Sequence, residues 1–239
     1  MKNFSSLLLE SFQVFNQKLK PILVWLLVYV IIAGISTEIS TFLDSKLSIM
    51  SSSVSSGVVF SGIDFLVIFL ESFAFIIFLF LSGSYMGAFF ITLMMKPIGT
   101  SLIEIAQEAW KKLWQYLLVV MLIWSFIILG LFLFIIPGLI VSVYLAFSTF
   151  VFIDEGKTNM EALRRSWNLV KGNWWKVLGR WFLLSIVLFF VFILLGIINN
   201  LLGSIFSALS MPFSMIFVYL IYLELKRSKE VQPQISTQE

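Results

Sequence analysis

Six apolar stretches, each close to the length that crosses a lipid bilayer, restrict this chain to one kind of architecture. They fall at residues 22–43, 65–95, 113–136, 138–153, 178–198 and 204–224. A spanning helix needs about twenty mostly apolar residues. In hydrocarbon only a helix or a closed barrel satisfies its own backbone polar groups. Water is a poor solvent for such a chain: 60% of its residues are hydrophobic and 12% charged, whereas a water-soluble domain carries about 25% charged residues. The expectation is an all-α membrane protein with six transmembrane helices. Residues 22–34 have the length of a signal-peptide core. However, a patterned segment of about twenty residues precedes them, and the apolar character continues through Ile39 and Phe42, so they read as an uncleaved membrane helix.

Charge placement orients the helices. Fifteen of the sixteen Lys and Arg residues lie in the N-terminal segment, in the second and fourth connections, or in the tail, with Lys46 the one exception. Such a bias marks a cytoplasmic face. Both termini are therefore expected on the cytoplasmic side. The Ser-rich stretch 45–62 is expected outside as a flexible loop, and residues 229–239 as a disordered cytoplasmic tail. Trp25, Trp110, Trp114, Trp167, Trp174, Trp175 and Trp181 repeat the asymmetry, each placed to wet its N–H at that boundary; only Trp124 lies deeper. A pI of 9.1 would elsewhere suggest nucleic acid. Here the one-sided placement accounts for the charge, so the expected partners are membrane lipids and a protein docked at the cytoplasmic face, with no nucleic acid.

The second stretch is overlong, and either tilts and projects or bends at Ser82-Gly83-Ser84. The third and fourth are separated only by Ile136-Pro137-Gly138. Proline has no backbone donor and suits the first turn of a helix, so 113–153 is a tight hairpin, fully spanning or re-entrant.

The cytoplasmic connections carry a repeat. Thr158-Asn-Met-Glu161 and Ser101-Leu-Ile-Glu104 have the form of capping boxes, and Trp167 follows Glu161 at the spacing by which Trp110 follows Glu104. Met160, Leu163, Trp167 and Val170 form an apolar stripe at helical spacing, with Glu161, Arg164, Arg165, Asn168 and Lys171 turned away. Ser11-Phe12 aligns with Ser166-Trp167, beside a stripe of Leu8, Phe12, Phe15 and Leu19. A single membrane domain over 1–228 thus reads as three units, about 1–97, 98–155 and 156–228. Each unit is an amphipathic interfacial helix followed by a membrane hairpin. Such helices lie in the headgroup plane, either as collars for the hairpins or as a docking surface.

The run Ile136-Pro-Gly-Leu-Ile, then Leu145-Ala-Phe-Ser, Val151-Phe-Ile-Asp-Glu-Gly-Lys and Met160-Glu-Ala-Leu-Arg-Arg-Ser-Trp-Asn-Leu-Val-Lys-Gly-Asn-Trp resembles the YciC-type inner-membrane proteins of bacteria. It is also similar to the membrane domain attached to some glycerophosphodiester phosphodiesterases. The resemblance covers residues 136–178 in motif and most of the chain in layout. It implies a six-helix inner-membrane protein without an assigned activity. In the phosphodiesterases the hydrolytic machinery belongs to a separate soluble barrel, so hydrolysis is not implied.

The side chains offer little chemistry. There is no cysteine and no histidine, which excludes thiol nucleophiles, His bases and Cys/His metal sites; no cofactor is expected. No lysine lies within an apolar stretch to activate a serine. The candidate intramembrane polar site is Glu71 with Ser207, Ser210 and Ser214. Glu71 is an acid inside an apolar run, with no basic residue in any helix core to pair with it, and is either structural or concerned with protons or substrate. The serines, near a kink expected at Pro212, are interhelical glue or a pore lining. Gly83-Ser-Tyr-Met-Gly87 is a small-xxx-small packing motif, and Asp154 and Glu155 read as a solvated turn. The expected function is non-enzymatic, scaffolding or envelope maintenance, with a lipid or small-solute carrier as the alternative.

Overall fold

The computed structural model describes residues 2–55 and 62–235, and within them the chain is helical with short connections. Nine helices are present among the described residues: α1 Phe4–Gln17, α2 Leu19–Ser55, α3 Gly62–Met95, α4 Leu102–Leu133, α5 Ile135–Leu145, α6 Ser148–Glu155, α7 Asn159–Val170, α8 Trp174–Ile198 and α9 Asn200–Ile235. Six segments are long and apolar enough to cross a membrane, the fourth of them formed by α5 and α6 together. Large apolar side chains cover their outer surfaces, among them Leu27, Phe65, Phe132 and Phe182. A water-soluble monomer rarely exposes so much contiguous apolar area.

The long helices exceed the expected spans. α2 has 37 residues and α3 has 34, which at 1.5 Å per residue makes each about 50 Å or more in length. α3 runs unbroken through Ser82-Gly83-Ser84, and α9 runs unbroken through Pro212. Residues 45–55, expected in a flexible loop, belong to α2. Their Ser48, Ser51 and Ser52 hydroxyls hydrogen-bond to carbonyls three residues back, so the serines turn onto their own helix. Residues 56–61 of the expected loop lie outside the described residues. The tail continues α9 to Ile235, and only its last four residues lie outside.

The hairpin between the third and fourth spans is tight. Phe134 alone separates α4 from α5, in an extended conformation. A Cβ on Gly130 would sit 2.9 Å from the Gly138 Cα, and one on Gly138 would meet Leu131 at 2.7 Å. The two backbones touch there, so both positions exclude a side chain. Within the small-xxx-small motif only Gly87 works this way, against the Tyr116 hydroxyl; Gly83 faces open space.

The core sits at one end of the bundle. It is built from Leu7, Ile22, Trp25, the α3 residues from Met86 to Met94, the first half of α4, α6, α7 and the second half of α9. Helix α6 is its centre: Val151, Phe152 and the preceding Phe147 are buried, and Phe150 stacks on Tyr219 and Tyr222 at 6.0 and 5.7 Å. The opposite halves of α2, α3, α8 and α9 stay apolar yet largely exposed.

The three expected interfacial helices differ in form. α1 and α7 are separate, but the second is the first part of α4, continuous with its span. A common burial pattern nevertheless links them. Ser11, Ala109 and Ser166 are fully buried, and the aromatic that follows each, Phe12, Trp110 or Trp167, is exposed. In α1, Leu7 and Ser11 are buried and the Phe4 and Phe15 rings meet Phe217 and Phe213 of α9, so Phe15 of the expected stripe packs on protein while Phe12 is exposed. Ser101 and Thr158 stand at the N-cap positions in extended conformation, but neither side chain makes a cap hydrogen bond.

Candidate functional site at the basic end

The fourth span is interrupted where α5 ends and α6 begins, around Ala146 and Phe147. A break inside an apolar segment strands backbone polar groups, each costly to bury unpaired. Ser166 of α7 satisfies two of them. Its hydroxyl donates to the Tyr144 carbonyl at 2.7 Å and accepts from the Phe147 N–H at 3.2 Å. Beside it the Trp167 indole stacks on the Tyr144 ring, 3.9 Å between centroids. α7 is thus held by protein along Ala162, Leu163, Ser166, Leu169 and Val170, all buried, while Met160 and Trp167 of the expected stripe are exposed.

Ion pairs tie the surrounding junctions together. Glu155 accepts from the Arg165 guanidinium at 3.1 Å and lies 3.3 Å from the Lys157 ammonium. Asp154 accepts from the Tyr222 hydroxyl at 2.7 Å and from Lys226 at 2.6 Å. These two acids close α6 at the Gly156 turn, with Asp154 exposed, and also make fixed contacts. They link α6 to α7 and α9, with partners 10 to 72 residues away. Arg180 pairs with Glu224 at 2.7 Å and donates to the Lys2 carbonyl, closing α8 and α9 over the N-terminus. Glu108 bridges Lys96 at 2.8 Å and Lys112 at 2.9 Å. Its hydrogen bond and charge hold the Lys96 ammonium above its ordinary value.

Lys18 is the one lysine buried among the core. Its ammonium donates to the carbonyls of Leu93, Met94 and Lys96 at 2.7, 2.8 and 2.8 Å. These are carbonyls that the end of α3 leaves without intrahelical partners. Burial pushes its pKa down. Trp25 is likewise interior: its N–H reaches the Met86 carbonyl at 3.1 Å, and its ring meets Phe90 edge-on.

At the opposite end Glu71 does have a basic partner. Lys46 sits 2.7 Å from both carboxylate oxygens and 4.6 Å over the Phe42 ring. The helical extension of α2 brings it there, which a loop at 45–62 would not do. Ser210 and Ser214 bond to carbonyls of their own helix, at Ser207 and Met211. No hydrogen bond joins Glu71 to the three serines among the described residues, so the four-residue polar site does not assemble. Among the described residues no three Asp or Glu cluster to hold a metal ion.

Two grooves flank α5. One, of about 410 Å³, lies between α4, α5 and α7 against Phe126, Val141, Met160 and Trp167. The other, of about 890 Å³, lies between α5 and α8 against Ile136, Leu139, Ile140, Tyr144 and residues 172–176. Residues 66–234 match the family model described as a domain of unknown function, DUF7847. No curated protein and no solved structure matches the chain.

Proposed function

The chain belongs to the DUF7847 family, whose model spans more than two thirds of it, and we propose that it is a non-enzymatic multi-pass scaffold of the bacterial inner membrane. In this reading the six apolar segments span the bilayer, and the basic end with both termini faces the cytoplasm. The likeness of residues 136–178 to the YciC-type proteins supports the same assignment. So does the shared burial pattern of Ser11-Phe12, Ala109-Trp110 and Ser166-Trp167, which fits a threefold repeat of interfacial helices.

The observation that carries the scaffold reading is the lattice of ion pairs at the basic end. It joins α3 to α4, α6 to α7 and α9, and α8 to α9. It leaves the outer face of α7, with Glu161, Arg164, Asn168 and Lys171, exposed on a braced base. A carrier needs polar groups along a path through the membrane. Here Glu71 pairs with Lys46, and Glu108, Asp154, Glu155 and Glu224 of the base are tied to cations. One feature favours the alternative of a lipid or solute carrier: the interrupted fourth span, since discontinuous helices recur in transporters.

Extraction of the native protein into polymer-bounded membrane discs separates the two. A scaffold brings a second protein in stoichiometric amount, and Arg164→Glu with Lys171→Glu releases it. A protein that is recovered alone, and that moves lipid or solute across reconstituted vesicles, is a carrier. The orientation has its own test. A periplasm-dependent reporter inserted at 56–61 is active, and the same reporter at the C-terminus is silent.

A further inference from the structure

The α5–α8 groove has an apolar wall and a cationic end. Ile136, Leu139, Ile140 and Tyr144 recur at helical spacing along one face of α5, and Leu178 faces them from α8. That face extends about 12 Å along the helix. At the end of the groove stand Gly172, Asn173, Trp174, Trp175 and Lys176, the approach to and first turn of α8. The N-cap residue Asn173 makes no side-chain cap, and the first N–H groups of a helix attract an anion. Lys176 is exposed and forms no ion pair among the described residues, whereas Lys157, Arg165, Arg180 and Lys226 each have a carboxylate. No Asp or Glu lines the groove. Trp174 lines the groove; its indole N–H is buried and has no acceptor, and a buried donor left unpaired is costly.

We propose that an anionic phospholipid of the phosphatidylglycerol class occupies this groove, its phosphate at the first turn of α8 and one acyl chain along α5. The charge of the site selects the anion. The apolar wall, more than half of the lining, selects a ligand with a hydrocarbon chain over a free phosphate, and basic pockets between membrane helices are common seats for anionic headgroups. Trp175, 78% exposed, is placed at the rim like an interfacial aromatic. The inference rests on the membrane reading, which the reporter fusions test separately.

The experiment is native mass spectrometry of the delipidated full-length protein in detergent, titrated with phosphatidylglycerol and with phosphatidylcholine of identical chains. Wild type is expected to bind the anionic lipid at least tenfold more tightly. Lys176→Gln and Trp174→Phe each weaken that binding at least threefold, with the thermal midpoint unchanged for the exposed Lys176→Gln. Leu139→Trp, which fills the groove, weakens it as well. Equal affinity of wild type for the two lipids overturns the proposal, as does unaltered phosphatidylglycerol binding by Lys176→Gln. Displacement of the lipid by an equal concentration of chain-free glycerophosphoglycerol also overturns it, because the groove would then contribute nothing.

Discussion

Replacing Lys18 by methionine keeps the length and apolar stem of the side chain and removes its three donors. The carbonyls of Leu93, Met94 and Lys96 then lose the ammonium that lies 2.7–2.8 Å away. A hydrogen bond from a charged donor contributes about 1.5–3 kcal/mol, and a cation at a helix C-terminus adds about 0.3–1 kcal/mol. The three bonds share one ammonium, so they do not add, and the desolvation that depresses the Lys18 pKa is subtracted from them. The two favourable terms sum to about 2–4 kcal/mol, and after the desolvation is subtracted the net loss expected for Lys18→Met is on the order of 1–3 kcal/mol. Lys20, two residues on, is exposed, and Lys20→Met is expected to cost less than about 0.5 kcal/mol. Lys18→Arg should rescue only in part, since a planar guanidinium cannot converge three donors as an ammonium does. The assay is detergent-micelle unfolding of the purified variants, with limited proteolysis across 97–101 reporting release of the α3 end. Equal midpoints for Lys18→Met and Lys20→Met would refute the reasoning, because the two lysines would then differ in position alone.

Gly130→Ala forces its methyl to 2.9 Å from the Gly138 Cα and should cost about 1–3 kcal/mol, read as a lowered thermal midpoint; Gly83→Ala, in open space, should not lower it. Ser166→Ala strands the Tyr144 carbonyl and the Phe147 N–H and should cost about 1–3 kcal/mol, seen as faster hydrogen exchange at the α5–α6 break. Because Glu108 holds the Lys96 ammonium above 10.5, the pair contributes stability in full below that pH and loses it as pH rises through the folded-state value. Glu108→Gln should therefore flatten the alkaline limb of the stability profile, and an unchanged limb would remove Glu108 as its cause.

The six long apolar helices were legible in the sequence because an apolar run of bilayer-spanning length is a one-dimensional signal. Ends and partners were not. Hydropathy stops at Phe42 because Asp44, Ser45 and Lys46 are polar, yet the helix has no reason to stop where the hydrocarbon does, and α2 continues to Ser55. That extension gives Glu71 its partner. The face by which α1 packs on protein was hidden for a related reason. An amphipathic stripe shows which residues are apolar, but when lipid and protein are both apolar it cannot show which of them faces protein. The same ambiguity hid the split in α7, where Leu163 and Val170 pack inward while Met160 and Trp167 stay exposed.

The charges carry two messages, and counting reads only one of them. A positive bias at one end depends on how many Lys and Arg lie in each connection, so it survives any shuffling within a connection. The lattice at that end depends on which residue is where: Arg180 finds Glu224 from 44 residues away, and Lys226 finds Asp154 from 72. Both acids also lie at this end, so they spend part of the positive charge on brace contacts. Of the cations without an ion pair among the described residues, Arg164 and Lys176 lie beside the two grooves that flank α5, while Lys20 and Lys111 lie elsewhere at this end. Arg164, Lys171 and Lys176, exposed and without an ion pair among the described residues, lie close together across α7 and the first turn of α8. One end of the molecule thus braces its own fold with some cations and leaves others to meet an anionic partner.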